Sequence, residues 1–377
     1  MRLYAGGMLL RLTNVPRDYA WGSTSLLAEL EGRTPGHTPE AEVWFGDHPG
    51  DPADVDGGGT LDAQTGGRLP YLLKLLAAAQ PLSIQVHPTI EQARAGWARE
   101  SELPLDAAER NYRDDNHKPE LLVALSERFE SLSGLRPVAE TLALLGTLPD
   151  VEGVRSLRAR LDGDGDVLRE TLRWLLDGSA GDAVDGVIEA VRSAGPDAAP
   201  AIRAVARIAD TYPGDPGVVV ALLMNHVVLR RGEGIFLRAG LLHAYLSGLG
   251  VEIMAASDNV LRGGLTPKRI DVPELLAIVD TATEEVPVLR PASEGPVTEY
   301  AVPVPDFALR RVVLDGAPVE LPVAGPTMVL ATAGDVRVRA GDDDASIRVG
   351  AVAFVSADEP AMILSGSGEA FIASPGR

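Results

Sequence analysis

Residues 81–88 read Pro81-Leu82-Ser83-Ile84-Gln85-Val86-His87-Pro88. In an extended chain, successive side chains point to opposite faces. Leu82, Ile84 and Val86 then share one face, and Ser83, Gln85 and His87 share the other. The apolar face belongs against a core. A face of Ser, Gln and His suits the interior of a barrel that holds a polar ligand or a metal. Two residues of rise set the roots of Gln85 and His87 about 7 Å apart, so the two side chains can converge on one ion. Taken alone, the segment fits a solvated edge strand equally well.

Three more segments carry chemistry. In Asn116-His117-Lys118-Pro119-Glu120, the Pro marks a turn or an edge, yet the apolar run Leu121 to Leu125 follows. Lys118 and Glu120 then point the same way at the mouth of a buried strand. Glu120 can serve as an anionic metal ligand and Lys118 can face a substrate; a surface ion pair is the plainer reading. Next, Gly232, Gly240 and His243 are spaced like the second motif of cupin β-barrels. The glycines permit the turns, and the hairpin returns the His to the interior. Arg238 stands where that motif usually has Pro, and a core His beside a hairpin explains the segment as well. Finally, Glu252 alternates with apolar residues, and Asp258, Asn259, Arg262 and Lys268 crowd around Gly263-Gly264. Arg and Lys in one loop make a reasonable anion site, although ordinary surface loops look similar. Together Gln85, His87, Glu120 and His243 offer two nitrogen and two oxygen donors. That set suits Zn²⁺, accommodates Mn²⁺ or Co²⁺, and leaves a position open. The other histidines fit less well. His37 lies in a polar Gly/Pro stretch, His48 reads as a loop residue, His117 is out of phase with Lys118, and His226 reads as structural.

Outward from these segments the chain has three textures. Residues 8 to about 136 mix strand-like runs such as Glu42-Val43-Trp44-Phe45 with helices. Tyr71–Ala79 reads as a helix, though so short an apolar run is equally compatible with a strand; Ile90–Glu100 reads as a helix. Residues 138–224 show helical spacing, cut by Gly/Asp/Pro breaks into four or five short helices that carry no chemistry. From 225 onward short β-branched strands dominate, with one helix at Pro273–Val279. Residues 230–248 and 348–366 align without gaps at seven of 19 positions. Chance explains such a match in a Gly/Ala-rich chain; two related barrels also explain it. The second copy has Ala361 where the first has His243, and the last 100 residues hold no His and no Lys, so a second barrel would be structural.

Composition sets the limits. The 377 residues are 45% hydrophobic and 23% charged, which fits a globular protein of two or three domains. A net charge of −20 argues against nucleic-acid binding, and the absence of Cys excludes thiolate chemistry. No run approaches the roughly 18 apolar residues of a membrane span. The first seven residues read as an extension ahead of Met8 rather than a signal peptide, and a cytoplasmic location follows as the expectation. Only Lys74, Lys118 and Lys268 are lysines, against 31 arginines. All three fall in the segments singled out here, which predicts that those positions need an ammonium.

These segments, in this order, resemble type I mannose-6-phosphate isomerases (phosphomannose isomerases) of the cupin superfamily. The resemblance rests on Tyr19-Ala20-Trp21-Gly22-Ser23, Leu69 to Lys74, Ala79 to Pro88, Asn111-Tyr112, Asn116 to Glu120, His243 to Leu246, Ser257 to Arg262 and Leu265 to Lys268. It covers roughly residues 10–136 and 225–280. It implies a mainly β fold with an α-helical subdomain and two cupin-like β-barrels (jelly rolls), the first metal-binding and the second degenerate. The expected domains are a catalytic unit (1–136 plus 225–282), a helical insert (137–224) and a C-terminal β-barrel without a metal site (283–377).

It further implies one Zn²⁺ per chain on Gln85, His87, Glu120 and His243, and a catalytic role for Arg262. Lys74, Ser83, Lys118, Glu252, Asp258 and Lys268 match pocket positions, and Trp21 and Tyr245 join them as substrate-binding residues. Glu252 is taken as the proton-transferring base. Ala255-Ala256 stands for Ala-Asn, Leu241-Leu242 for a pair such as Thr-Pro, and Gly263 for Ala; no proposed ligand is touched. The implied reaction interconverts mannose 6-phosphate and fructose 6-phosphate through a cis-enediol, in a monomer or weak oligomer. A metal-binding cupin that senses sugar phosphate without turnover is the alternative. An Fe(II) oxygenase fits less well, because such cupins commonly use a richer set of histidines.

Overall fold

The computed structural model describes residues 8–376 except 105, 107, 108, 284, 285, 287 and 294. The expected extension ahead of Met8 lies outside them. The described residues form 19 strands and ten helices. The strands make two antiparallel sheets of ten and nine. Each sheet belongs mainly to one of the two expected β units, so the fold is mainly β with a helical subdomain.

One long strand, His243–Ala255, organises the first sheet. Its first half pairs with Ile84–Val86 and Phe129–Leu135, setting His243 opposite Gln85. Its second half pairs with Tyr71–Ala78 and Glu120–Ala124, setting Glu252 opposite Lys74 and Met254 opposite Glu120. Between the halves the register slips at Tyr245/Ser247, and Gly248 adopts φ +125°. A Cβ at Gly248 would lie 2.7 Å from Phe129 Cδ2. Glycine is therefore required where the strand bends, and the bend lets one strand serve both faces of the unit.

Tyr71–Ala78 is a strand, not a helix. All eight of its residues are buried, so it shows no alternation that would have revealed the strand. Ile90–Ser101 and Val272–Ile278 are helices as expected. The insert holds six helices, between Val138 and Leu222, rather than four or five. The uncounted break is Gly146 to Val151, around Pro149. Leu157, Leu172, Ile188, Ile208 and Val219 from these helices share one core with Ile84, Val86, Leu242 and Leu261. The insert thus covers Ile84 and Val86 on the apolar face of the segment 81–88, while Leu82 packs in a separate cluster with Phe129 and Tyr245.

The internal repeat is matched element by element. A turn with Gly232 at φ +81° corresponds to one with Gly350 at φ +83°. The strands Gly234–Leu237 and Val352–Val355 follow at equal offsets, then the long strands that start at His243 and Ala361. Gly366, at φ +119°, takes the place of Gly248. The two sheets pack through one core: Leu73, Leu75, Val123 and Val251 meet Met328, Leu330, Phe354 and Phe371. Strand Leu9–Thr13, expected in the catalytic unit, pairs with Val352–Val355 in the C-terminal sheet.

Candidate metal centre

His87, Glu120 and His243 are buried, and their ligand atoms lie within 4.8 Å of one another. His87 Nε2 is 3.2 Å from Glu120 Oε1, and His243 Nε2 is 3.5 Å from Glu120 Oε2. Both rings are oriented from behind. His87 Nδ1–H donates to the Asn259 carbonyl at 2.7 Å, and His243 Nδ1–H donates to the Leu241 carbonyl at 3.0 Å. Each Nε2 lone pair is therefore turned inward. His87 Nε2 is a buried polar atom without a hydrogen-bond partner. Burial pushes the His87 imidazole down to about 4, which keeps it neutral and able to ligate. Burial works to raise the Glu120 carboxyl, but Lys118 and His87 outweigh it and hold the group well below its ordinary value. Gln85 lies directly across from His243 and donates its amide to Ser83 Oγ at 3.3 Å. Two imidazoles, one carboxylate and an adjacent amide oxygen fit a zinc site with a position left open.

Cations surround this centre. Lys118 Nζ sits 3.0 Å from Glu120 Oε1; the ion pair expected as a surface feature exists, but both partners are buried. Lys74 Nζ lies 3.6 Å from Glu42 Oε1 and 3.3 Å from Glu252 Oε2, over the Trp44 ring. Burial works against the Lys74 ammonium, but Glu42, Glu252 and Glu120 raise its pKa on balance. Burial raises the Glu252 carboxyl; Lys74 pulls it down, Glu120 and Glu42 push it up, and the result stays above the ordinary value. Tyr245 is buried against Phe129, and its hydroxyl faces Glu252 and is pushed well up by burial and by that carboxyl. Trp21 stacks on Tyr19 and packs on the cluster that contains Leu82 and Tyr245.

Arg262 faces Gln85 across the sheet. Its guanidinium is half-buried, has no acidic partner among the described residues, and is pulled down by burial and by Arg113. Lys268 is lowered mainly by Arg262, then by burial. Such crowding of positive charge around Arg262 is what an anion site requires.

Two residues went unrecognised in the sequence. His48 is in a loop, as expected, but it lines a cavity of about 300 Å³ with Arg113 and Asp258. Gly50 N–H donates to His48 Nδ1, so His48 Nε2–H donates to Asp258 at 3.1 Å. Nothing local announces a partner 210 positions away. Glu42 is the other. Its alternation with Trp44 in Glu42-Val43-Trp44-Phe45 was the available signal, since residues two apart share a face. His226, read as structural, is buried 3.5 Å from Glu130, and His117 bonds Asp306 at 2.9 Å.

The comparisons with known proteins agree with this geometry. Residues 9–138 match the model of the type I phosphomannose isomerase catalytic domain. The chain is 35% identical to mannose-6-phosphate isomerase of Escherichia coli (strain K12), over 95% of this chain and 97% of that one. The chain belongs to the type I mannose-6-phosphate isomerase family. Another family member, from Bos taurus, is 30% identical over 92% of this chain and 93% of its own. Among solved structures, a mutant phosphomannose isomerase from Salmonella typhimurium superposes with a TM-score of 0.88 at 32% identity, covering 98% of this chain and all of the other. A mannose 6-phosphate isomerase bound with zinc and yttrium superposes at 0.87 and 33% identity, with 98% of this chain and 100% of that chain covered. The match spans both β units and the helical insert, beyond the stretches that carried the resemblance.

For this family member, the three lysines should not tolerate arginine equally. Lys74 and Lys118 are closed in by carboxylates, whereas Lys268 is exposed. A planar, larger guanidinium at 74 or 118 must displace the groups that hold the site. We expect kcat/KM to fall about 10²-fold at each of those two and less than about 10-fold at 268. Steady-state kinetics of the three Lys→Arg variants would show it; three silent substitutions would make the lysine placement coincidence.

Proposed function

We propose that the chain is a zinc-dependent aldose–ketose isomerase that interconverts mannose 6-phosphate and fructose 6-phosphate through a cis-enediol. The observation that carries this reading is the convergence of His87, Glu120 and His243 beside a carboxyl held above its ordinary pKa and a guanidinium without an acid. Gln85, His87, Glu120 and His243 would hold one zinc per chain, which would supply Lewis-acid polarisation of the sugar oxygens. The chain's own residues do the rest. Glu252 takes the proton from C2 of the open-chain aldose while O1 gains one, giving the enediol. Return of the proton to C1, with loss of the O2 proton, gives the ketose. A buried carboxyl of raised proton affinity is a stronger base for this transfer than an exposed one. Arg262 stabilises the negative charge that grows on the enediolate oxygens. Lys268, with Ser83 beside the metal segment, receives the phosphate; the Lys74 ammonium is engaged by Glu42 and Glu252 and orients Glu252 instead. Lys118 fixes Glu120, while Asp258, Tyr245 and Trp21 complete the sugar pocket.

The proposed division is a catalytic unit (1–136 plus 225–282), a helical insert (137–224) and a C-terminal unit (283–377) without metal ligands, to which strand Leu9–Thr13 lends itself. No helix among the described residues is long and apolar enough to cross a membrane. A coupled assay for fructose 6-phosphate formation, with and without chelator, tests the function. Product that disappears with chelator and returns with zinc supports it; tight sugar-phosphate binding without product would favour the sensor.

A further inference from the structure

Glu42 takes no part in the chemistry above, yet it is buried at the centre of the site's charge balance. Its Oε1 lies 3.6 Å from Lys74 Nζ, and its Oε2 accepts the Trp44 indole N–H at 2.8 Å. Glu252 reaches the same ammonium from the other side at 3.3 Å. Two carboxyls and one ammonium, all but closed to water, cannot all be charged without leaving a buried surplus of one negative charge. A proton kept within the group removes that surplus. The surroundings decide where it rests. Glu42 meets two donors, the indole and the ammonium. Glu252 shares the ammonium and faces the Tyr245 hydroxyl, but the carboxyls of both Glu120 and Glu42 push its proton affinity up.

We propose that Glu42 is a positioning residue: by clamping Lys74 with Trp44 and contributing the second negative charge, it makes Glu252 the carboxyl that carries the exchangeable proton. This rests on the reading of Glu252 as proton carrier. The groups that act on Glu252 are Lys74 from Tyr71–Ala78, Glu42 from Glu42–Phe45, Glu120 from the strand on its other flank, Lys118 just ahead of that strand, and Tyr245 from its own strand. Once a metal is held, the charge of Glu120 is largely taken up by it. Glu42 is then the carboxylate left to lift Glu252.

The test compares pH profiles of kcat for the zinc-loaded wild type, Glu42→Gln, Trp44→Phe and Glu252→Gln. Glu252 must lose its proton to act as base, so its pKa sets the acid limb. Removing the negative charge at 42 lowers that pKa. In Glu42→Gln the acid limb should move down by about one pH unit, with a lower plateau because the base is weaker. Trp44→Phe leaves the carboxyl but removes its indole donor, so the proton is shared with Glu42 and the limb moves the same way by less. Should Glu42→Gln fail to fold, Trp44→Phe decides. An acid limb that stays in place or rises overturns the role of Glu42. Full turnover in Glu252→Gln overturns the proton-carrier reading itself, so the two failures are distinguishable.

Discussion

An alanine at position 87 is expected to leave the protein folded, strip most of its zinc, and slow turnover by at least about 10³-fold. His87 is one of only two imidazoles at the centre, and the open position means that no spare protein ligand stands by. A metal worth several kcal/mol at the transition state corresponds to three or more decades in rate. The variant also leaves the Asn259 carbonyl without its donor, at a cost of about 1–3 kcal/mol in stability. Asn259 itself stays anchored, because its side-chain amide donates to the Asp114 and Asn116 carbonyls at 2.8 Å each. Elemental analysis, the coupled assay and a melting curve on one preparation would separate these effects. Normal zinc content with normal turnover would remove His87 from the metal centre.

Arg262→Ala should behave differently: zinc content unchanged, kcat down about 10² to 10³-fold, and KM little affected. The guanidinium is half-buried with no carboxylate to answer it among the described residues, so its charge is available to whatever anion enters. A group that acts on charge developing in the transition state shows its loss in kcat. A group that only anchors the phosphate shows it in KM. Arg262→Lys should recover part of the loss, since it keeps charge but not the planar fork. Removing Arg262 also removes the main influence that lowers Lys268, whose pKa should climb back toward its ordinary value. A large rise in KM with kcat intact would reassign Arg262 to the phosphate, and unchanged kinetics would remove it from the reaction.

Much of the centre was legible before any coordinates. Ser83, Gln85 and His87 alternate with apolar residues, and alternation is a local property that survives folding. Glu252 was legible for the same reason. Tyr71–Ala78 was not, because a strand covered on both faces has lost the pattern that distinguishes it from a short helix. His48 and Glu42 belong to a different class of omission. Their importance comes from Asp258 and from the Lys74–Glu252 pair, brought to them by sheet register and loop packing rather than by neighbours in sequence. Two of the three lysines that the count singled out lie in buried carboxylate pairs beside the candidate metal residues. The bulk charge of −20 was no such guide, since Arg262, Lys268 and Arg113 lie close enough for their charges to repel one another.

The pairing of Leu12 with Val352 has a consequence for how the chain is made. On the ribosome, synthesis runs from the N-terminus at about 5–20 residues per second, so strand Leu9–Thr13, which can pair early with Asp54–Val55, waits tens of seconds for its C-terminal partner. The segments that carry the candidate metal residues His87, Glu120 and His243 are all translated before residue 265, whereas the C-terminal sheet closes only after residue 355 has emerged. Assembly of the centre can therefore precede assembly of its support. A nascent chain arrested near residue 300 is the place to look for metal already held while the first strand, paired with Asp54–Val55, still lacks its C-terminal partner.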